Sequence, residues 1–132
     1  MIGVDFVPLA IRRAKTAAQK AQVMDRTTFY TGDVSRLDLL DLPPIHLAYD
    51  IGCFHLLDSE QVEGYISGLS DVVVPGGMFL LNAFTPRQQG KKMVGYDPDS
   101  VAALFSRTFA VEQMSEHSYW RFSANWYWLR RR

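Results

Sequence analysis

The chain has 132 residues, fourteen basic side chains balancing fourteen acidic ones, and a single cysteine. With 48% apolar and 21% charged residues, it has the composition of one soluble globular domain, 1–132, long enough to bury a core. A lone Cys53 excludes a disulfide scaffold. The absence of any run near 18 apolar residues excludes a membrane helix. The balanced charge argues against electrostatic binding of nucleic acid.

Met1 opens straight into Ile2-Gly3-Val4-Asp5, read as the end of a strand with no leader before it. Pro8 suits the first turn of a helix, where its missing N–H costs nothing. Ile11, Ala14, Ala18 and Ala21 then recur at helical spacing, with Arg12, Arg13, Lys15, Gln19 and Lys20 between them. This is an amphipathic helix with a small-residue face, suited to lying on a sheet. The basic stretch at 11–15 is the solvent face of that helix rather than a transit peptide, and the protein is expected in the cytoplasm.

Residues 27–31 form a short strand closed by Gly32-Asp33. Residues 34–44 read as a loop with one helical turn, and 45–50 as the next strand. Asp58 caps a helix, with Gln61 three residues on in a capping-box spacing. Val62, Tyr65, Ile66, Leu69 and Val73 make its apolar face, and Pro75-Gly76-Gly77 stops it. Residues 78–84 are nearly all apolar, as expected of a strand covered on both faces. Residues 85–97 are polar and read as a mobile loop. Asp97-Pro98 opens a helix buried through Val101, Leu104 and Phe105. Two closing strands follow, 109–118 and 122–129, joined by the spacer Tyr119-Trp120-Arg121 into an antiparallel hairpin. Arg130-Arg131-Arg132 reads as a solvated tail.

Strands alternating with helices point to an open sheet that binds ligands beyond the carboxyl ends of its strands. Three of those ends carry a carboxylate: Asp5, Asp33 and Asp50. One such residue reads as a turn or cap. Three in register point to a shared ligand with several hydroxyl or amino donors. Cys53 and His55, two apart on one turn, are poorly placed for nucleophilic catalysis. His46, His55, His117 and Cys53 show no metal-ligand spacing. Gly64 and Gly68 read as close helix packing. The C-terminal tyrosines and tryptophans read as core and sheet-edge packing.

Gly-Val-Asp at 3–5, Ala10-Ile11 with Ala14, Gly-Asp-Val at 32–34, Tyr-Asp-Ile-Gly-Cys-Phe-His at 49–55, and Pro-Gly-Gly at 75–77 before an apolar strand follow one another in an order that resembles the class I S-adenosylmethionine-dependent methyltransferases. Residues 50–55 and 124–130 are similar to bacterial small-molecule methyltransferases of the thiopurine-methyltransferase-like kind. The resemblance implies an α/β, Rossmann-like open sheet, mostly parallel with a C-terminal antiparallel hairpin. It implies S-adenosylmethionine as cofactor and a small molecule as methyl acceptor.

It also implies roles. Asp5 would accept hydrogen bonds from the two ribose hydroxyls, and Phe6 would pack on an adenine face. Asp33 would accept from the adenine amino group, with Val34 as an apolar wall. Asp50 and Ile51 would lie near the methionine end, and Phe54 and His55 would border the methyl-transfer site. No catalytic base is assigned, since a thiolate or amine acceptor needs none.

The chain departs from the family by lacking its first strand and Gly-rich loop. That strand is expected between those holding Val4 and Ala48, so two apolar edges would be left unpaired. Three resolutions follow: the chain is a fragment, those two strands pair directly, or a second copy covers the edges. The alternative function is a non-catalytic remnant of the fold with a structural or oligomeric role. An NAD enzyme stands third, because no phosphate-binding glycine motif is present.

Overall fold

The computed structural model describes residues 1–119, without the side chain of Tyr119, and residues 122–132. Trp120 and Arg121, within the spacer expected to turn the closing hairpin, lie outside the described residues. No helix among the described residues is long and apolar enough to cross a membrane.

The chain begins with β1 (Ile2–Asp5), α1 (Pro8–Lys20) and β2 (Thr28–Thr31). β1 and β2 pair in parallel, from Ile2 opposite Thr28 to Asp5 opposite Thr31. α1 starts at Pro8 as expected and packs on both strands, burying Ile11 and Ala18. A 3₁₀ turn at Val34–Leu39 leads into β3 (Ile45–Ile51), and a second at Phe54–Leu56 leads into α2 (Ser59–Val72).

The capping box of α2 forms as its spacing predicts. The Gln61 backbone donates to Asp58 Oδ1 at 2.9 Å, and the Asp58 backbone donates to Gln61 Oε1 at 3.1 Å. Gly64 and Gly68 serve close packing. A Cβ on Gly64 would meet the Ser35 carbonyl, and one on Gly68 would lie 2.9 Å from Leu37 Cβ.

β4 (Val73–Phe84) follows α2 without a loop. Pro75-Gly76-Gly77 therefore does not stop the helix. It lies inside the strand as a bulge, since Ile45 faces Val73 while Leu47 already faces Met78. The helix ends earlier because Val72-Val73-Val74 is β-branched and precedes a proline, and both features favour extended backbone. Val73, expected on the helix face, is a buried strand residue.

The polar stretch 85–97 is also not a plain loop. β5 (Arg87–Gln89) pairs antiparallel with β6 (Lys92–Val94) around Gly90, whose φ of +62° makes the tight turn. α3 (Pro98–Phe105) is capped by Asp97, which accepts from the Ser100 backbone at 2.9 Å. It buries Val101 and Phe105, but Leu104 faces outward.

β7 (Phe109–Tyr119) and β8 (Phe122–Arg131) complete a sheet of order β3-β4-β8-β7, parallel between β3 and β4 and antiparallel beyond. The C-terminal arginines are not a free tail. Arg130 grips Glu112 through two bonds of 3.0 and 3.1 Å. Arg131 donates to the Ser70 and Thr108 carbonyls, and Arg132 to that of Ser106. Guanidinium groups satisfy carbonyls left open near the ends of α2 and α3, where the helix dipole favours a cation.

The two faces of the larger sheet differ. Phe79, Leu81, Ala83, Tyr127 and Leu129 point toward α2 and α3 and form one core with Val62, Tyr65, Leu69, Val101, Phe105 and Phe109. The alternate residues face the other way. There Leu47, Tyr49 and Ile51 are 61%, 61% and 65% exposed, beside half-buried Met78, Leu80, Trp126 and Trp128. β4 is thus fully covered on one face only. β1 and β3 belong to separate sheets and do not pair, so direct closure of the expected gap does not occur.

Candidate ligand site at the strand ends

The carboxyl ends of β1, β2 and β3 each present the aspartate expected there, but in different states. Asp5 is half-buried, and its Oδ1 accepts from the Val7 backbone at 2.8 Å at the entry to α1. Phe6, next to it, is 74% exposed. Asp33 is exposed and caps the 3₁₀ turn at Val34–Leu39, its Oδ1 accepting from both the backbone and the hydroxyl of Ser35 at 2.8 Å. Each of these residues keeps its second oxygen free of any partner among the described residues. β1 and β2 hold them side by side: the Gly32 backbone donates to the Asp5 carbonyl at 3.1 Å.

Asp50 is committed inward. It is 7% exposed. Its Oδ1 accepts from the Cys53 backbone at 2.8 Å. Its Oδ2 accepts from the Phe54 backbone at 2.9 Å and from the Tyr65 hydroxyl at 2.7 Å. The turn that makes this possible needs Gly52, whose φ is +98°. Burial and the Asp50 charge hold the Tyr65 hydroxyl well above its ordinary pKa, so it stays a donor.

Cys53 records how closely the three ends converge. Its thiol is pushed up to about 11, first by burial and then by the charges of Asp50, Asp5 and Asp33. Near neutral pH it is a thiol, not a thiolate, which removes its nucleophilic power. His55 is buried, and its pKa is lowered by desolvation and by the Arg87 charge, against an opposing pull from Asp50. Its Nδ1 accepts from the Phe84 backbone at 3.5 Å.

The other residues expected at the site differ in exposure and packing. Phe54 is fully buried against Tyr65, Tyr96 and Phe105, with ring centres 4.8–5.9 Å apart. His55 stacks on Phe84 at 3.7 Å. Both side chains are buried behind the strand ends. Ile51 is exposed on the open sheet face, and Val34 is half-buried against the core. The carboxylate of Asp50 is already fully used within the chain.

Sequence reading also missed two partners. Tyr65 stood on the apolar face of a helix, and the signal overlooked was its hydroxyl, which needs a partner once buried. Arg87, beside His55, lay in a stretch that carried no pattern.

No family model matches the sequence, and no curated protein matches it. The likeness lies in the fold, which is that of the class I S-adenosylmethionine-dependent methyltransferases. The chain is similar to the N-methyltransferase NodS of Bradyrhizobium japonicum, solved with S-adenosylhomocysteine. The TM-score is 0.77 at 15% identity over 98% of this chain and 65% of that one. It is similar to the 1,6-didemethyltoxoflavin-N1-methyltransferase of Burkholderia thailandensis, solved with that substrate and S-adenosylhomocysteine, at 0.74 and 14% over 98% and 70%. The magnesium protoporphyrin IX methyltransferase of Synechocystis gives 0.78 and 16% over 99% and 59%. The chain thus spans roughly two thirds of the length of these enzymes.

Proposed function

We propose that the chain binds the adenosine part of S-adenosylmethionine and serves methyl transfer to a small-molecule acceptor. The observation that carries this is the pair Asp5 and Asp33, held on neighbouring strands, each with one carboxylate oxygen unclaimed, beside the exposed ring of Phe6. A carboxylate only accepts hydrogen bonds, and adenosine offers donors in two ribose hydroxyls and one exocyclic amino group. Its base offers a flat face for Phe6. The donor set and the acceptor set therefore fit.

In this reading Asp5 takes the ribose, Phe6 and Val34 bracket the base, and Asp33 takes the amino group. Asp50 fixes the turn that carries Cys53, and Ile51 lies toward the methionine end. When bound, the cofactor supplies a methyl group on a sulfonium. The chain supplies position, and its protonated Cys53 and neutral His55 compete with neither partner. Isothermal titration with S-adenosylhomocysteine tests the reading. Saturable binding weakened at least ~10-fold in Asp33→Ala is expected, from loss of one charge-assisted hydrogen bond. A wild-type chain that gives no binding heat overturns it.

A second reading, a non-catalytic fold that works by self-association, is favoured by one observation. Leu47, Tyr49 and Ile51 lie exposed along β3, whose edge toward β1 is unpaired. A second copy covering this face would hide apolar area, and the balanced net charge sets up no long-range repulsion between copies. Light scattering on the wild type and on Ile51→Lys decides it. A dimer that the substitution dissociates supports self-association, and a stable monomeric wild type removes it.

A further inference from the structure

Arg87 opens β5 just beyond the carboxyl end of β4. Its guanidinium carbon lies 4.2 Å from the ring centre of Phe84 and 5.2 Å from that of Phe122. Its Nε is sealed from solvent and has no hydrogen-bond partner among the described residues. Among the described residues no carboxylate pairs with it: the ion pairs are Arg36 with Asp38 and Arg130 with Glu112. Arg130, Arg131 and Arg132 all spend their donors on carboxylate or carbonyl oxygens. Among the described residues Arg87 donates to none.

A partly buried guanidinium without an acceptor is a cost to the folded chain. Stacking on aromatic faces offsets some of it, about 0.5–2 kcal/mol, yet a ring face answers the charge and leaves Nε without an acceptor. The position is also telling. Phe84, under the guanidinium, is the residue whose backbone donates to His55, and His55 belongs to the turn that Asp50 holds. Arg87 therefore stands at the same end of the sheet as the cofactor site proposed above.

We propose that Arg87 is the anchor for the methyl acceptor, and that the acceptor is a small organic acid whose carboxylate meets the guanidinium. This rests on the methyltransferase reading for the word acceptor, but not for the binding itself. A guanidinium presents parallel N–H groups that match the two oxygens of a carboxylate. A single negative charge is the better match, because the neighbouring imidazole of His55 is neutral and adds no second cation.

Benzoate and its neutral isostere benzamide, titrated into the full chain and followed by amide NMR shifts, test the assignment. Benzoate is expected to bind saturably and at least ~10-fold tighter than benzamide, the span of one charge-assisted hydrogen bond. Arg87→Gln is expected to abolish that preference. Arg87→Lys, which keeps the charge and loses the fork, is expected to retain only part of it. Equal binding of the two probes, no binding of benzoate, or an undiminished preference in either folded variant overturns the proposal. Circular dichroism shows which variants fold, and Arg87→Lys decides if Arg87→Gln does not. S-adenosylhomocysteine titrated into the wild type keeps the two claims apart: a silent cofactor with intact benzoate preference sinks the methyltransferase reading and leaves the acid site standing.

Discussion

Asp33 follows β2 and Asp50 stands near the end of β3, each in a short Asp-containing motif, and the fold gives them opposite work. Asp33 sits in solvent, spends one oxygen on Ser35 and keeps the other. Asp50 is buried and spends both oxygens on Cys53, Phe54 and Tyr65. The difference comes from what lies above each strand end. Nothing covers Asp33, whereas α2 brings Tyr65 over Asp50. Whether a carboxylate stays available is therefore decided by what its surroundings donate to it, not by its place in a motif.

The contrast predicts a graded set of outcomes. Asp50→Ala should cost the most, about 3 kcal/mol or more, because it orphans two backbone donors and a buried hydroxyl together. Urea unfolding should show the loss as a lower midpoint at unchanged slope. Tyr65→Phe removes one bond to a charged acceptor and should cost about 1.5–3 kcal/mol. A value near zero would mean that Asp50 finds a replacement donor, and the division between the two aspartates would blur. Asp33→Ala should cost only about 1 kcal/mol, the worth of a turn cap, while S-adenosylhomocysteine binding suffers. A stability loss equal to that of Asp50→Ala would erase the contrast.

The smallest effect concerns His55. Its pKa is lowered in the folded chain, so the unfolded chain takes up a proton first as pH falls. Its share of stability is complete above about 6.5, the ordinary histidine value. That share declines as pH falls from there toward the folded value, and then levels. Melting temperatures measured from pH 7.5 to 5 should show this slope in the wild type and a shallower one in His55→Gln. Equal slopes would place the titration elsewhere.

Much of the architecture could be read in the chain. The cap of α2, the Pro8 start of α1 and the Asp97 cap of α3 are local signals, and each forms as read. The misreadings share a cause. Pro75-Gly76-Gly77 punctuates a strand instead of ending a helix, because pairing with β3 holds it extended around a bulge. Gln88 and Lys92 sit in a hairpin because Gly90 can take a positive φ. Arg131 is bound because α2 and α3 leave carbonyls within its reach. In each case a partner distant in sequence outweighs local composition.

By itself the sequence determined the order of the main strands and helices, the helix caps and the carboxylate at each parallel strand end, since these follow from periodicity, capping chemistry and residue type within a few positions; the short hairpin of β5 and β6 escaped it. Only the tertiary structure decided which carboxylates stay available, that Phe54 and His55 turn inward, that one sheet face stays open, and that Arg87 lacks an acceptor. Those outcomes depend on which groups meet across the fold. Whether a polar atom is free for a ligand is a property of its neighbours, and here those neighbours come from other elements of the chain.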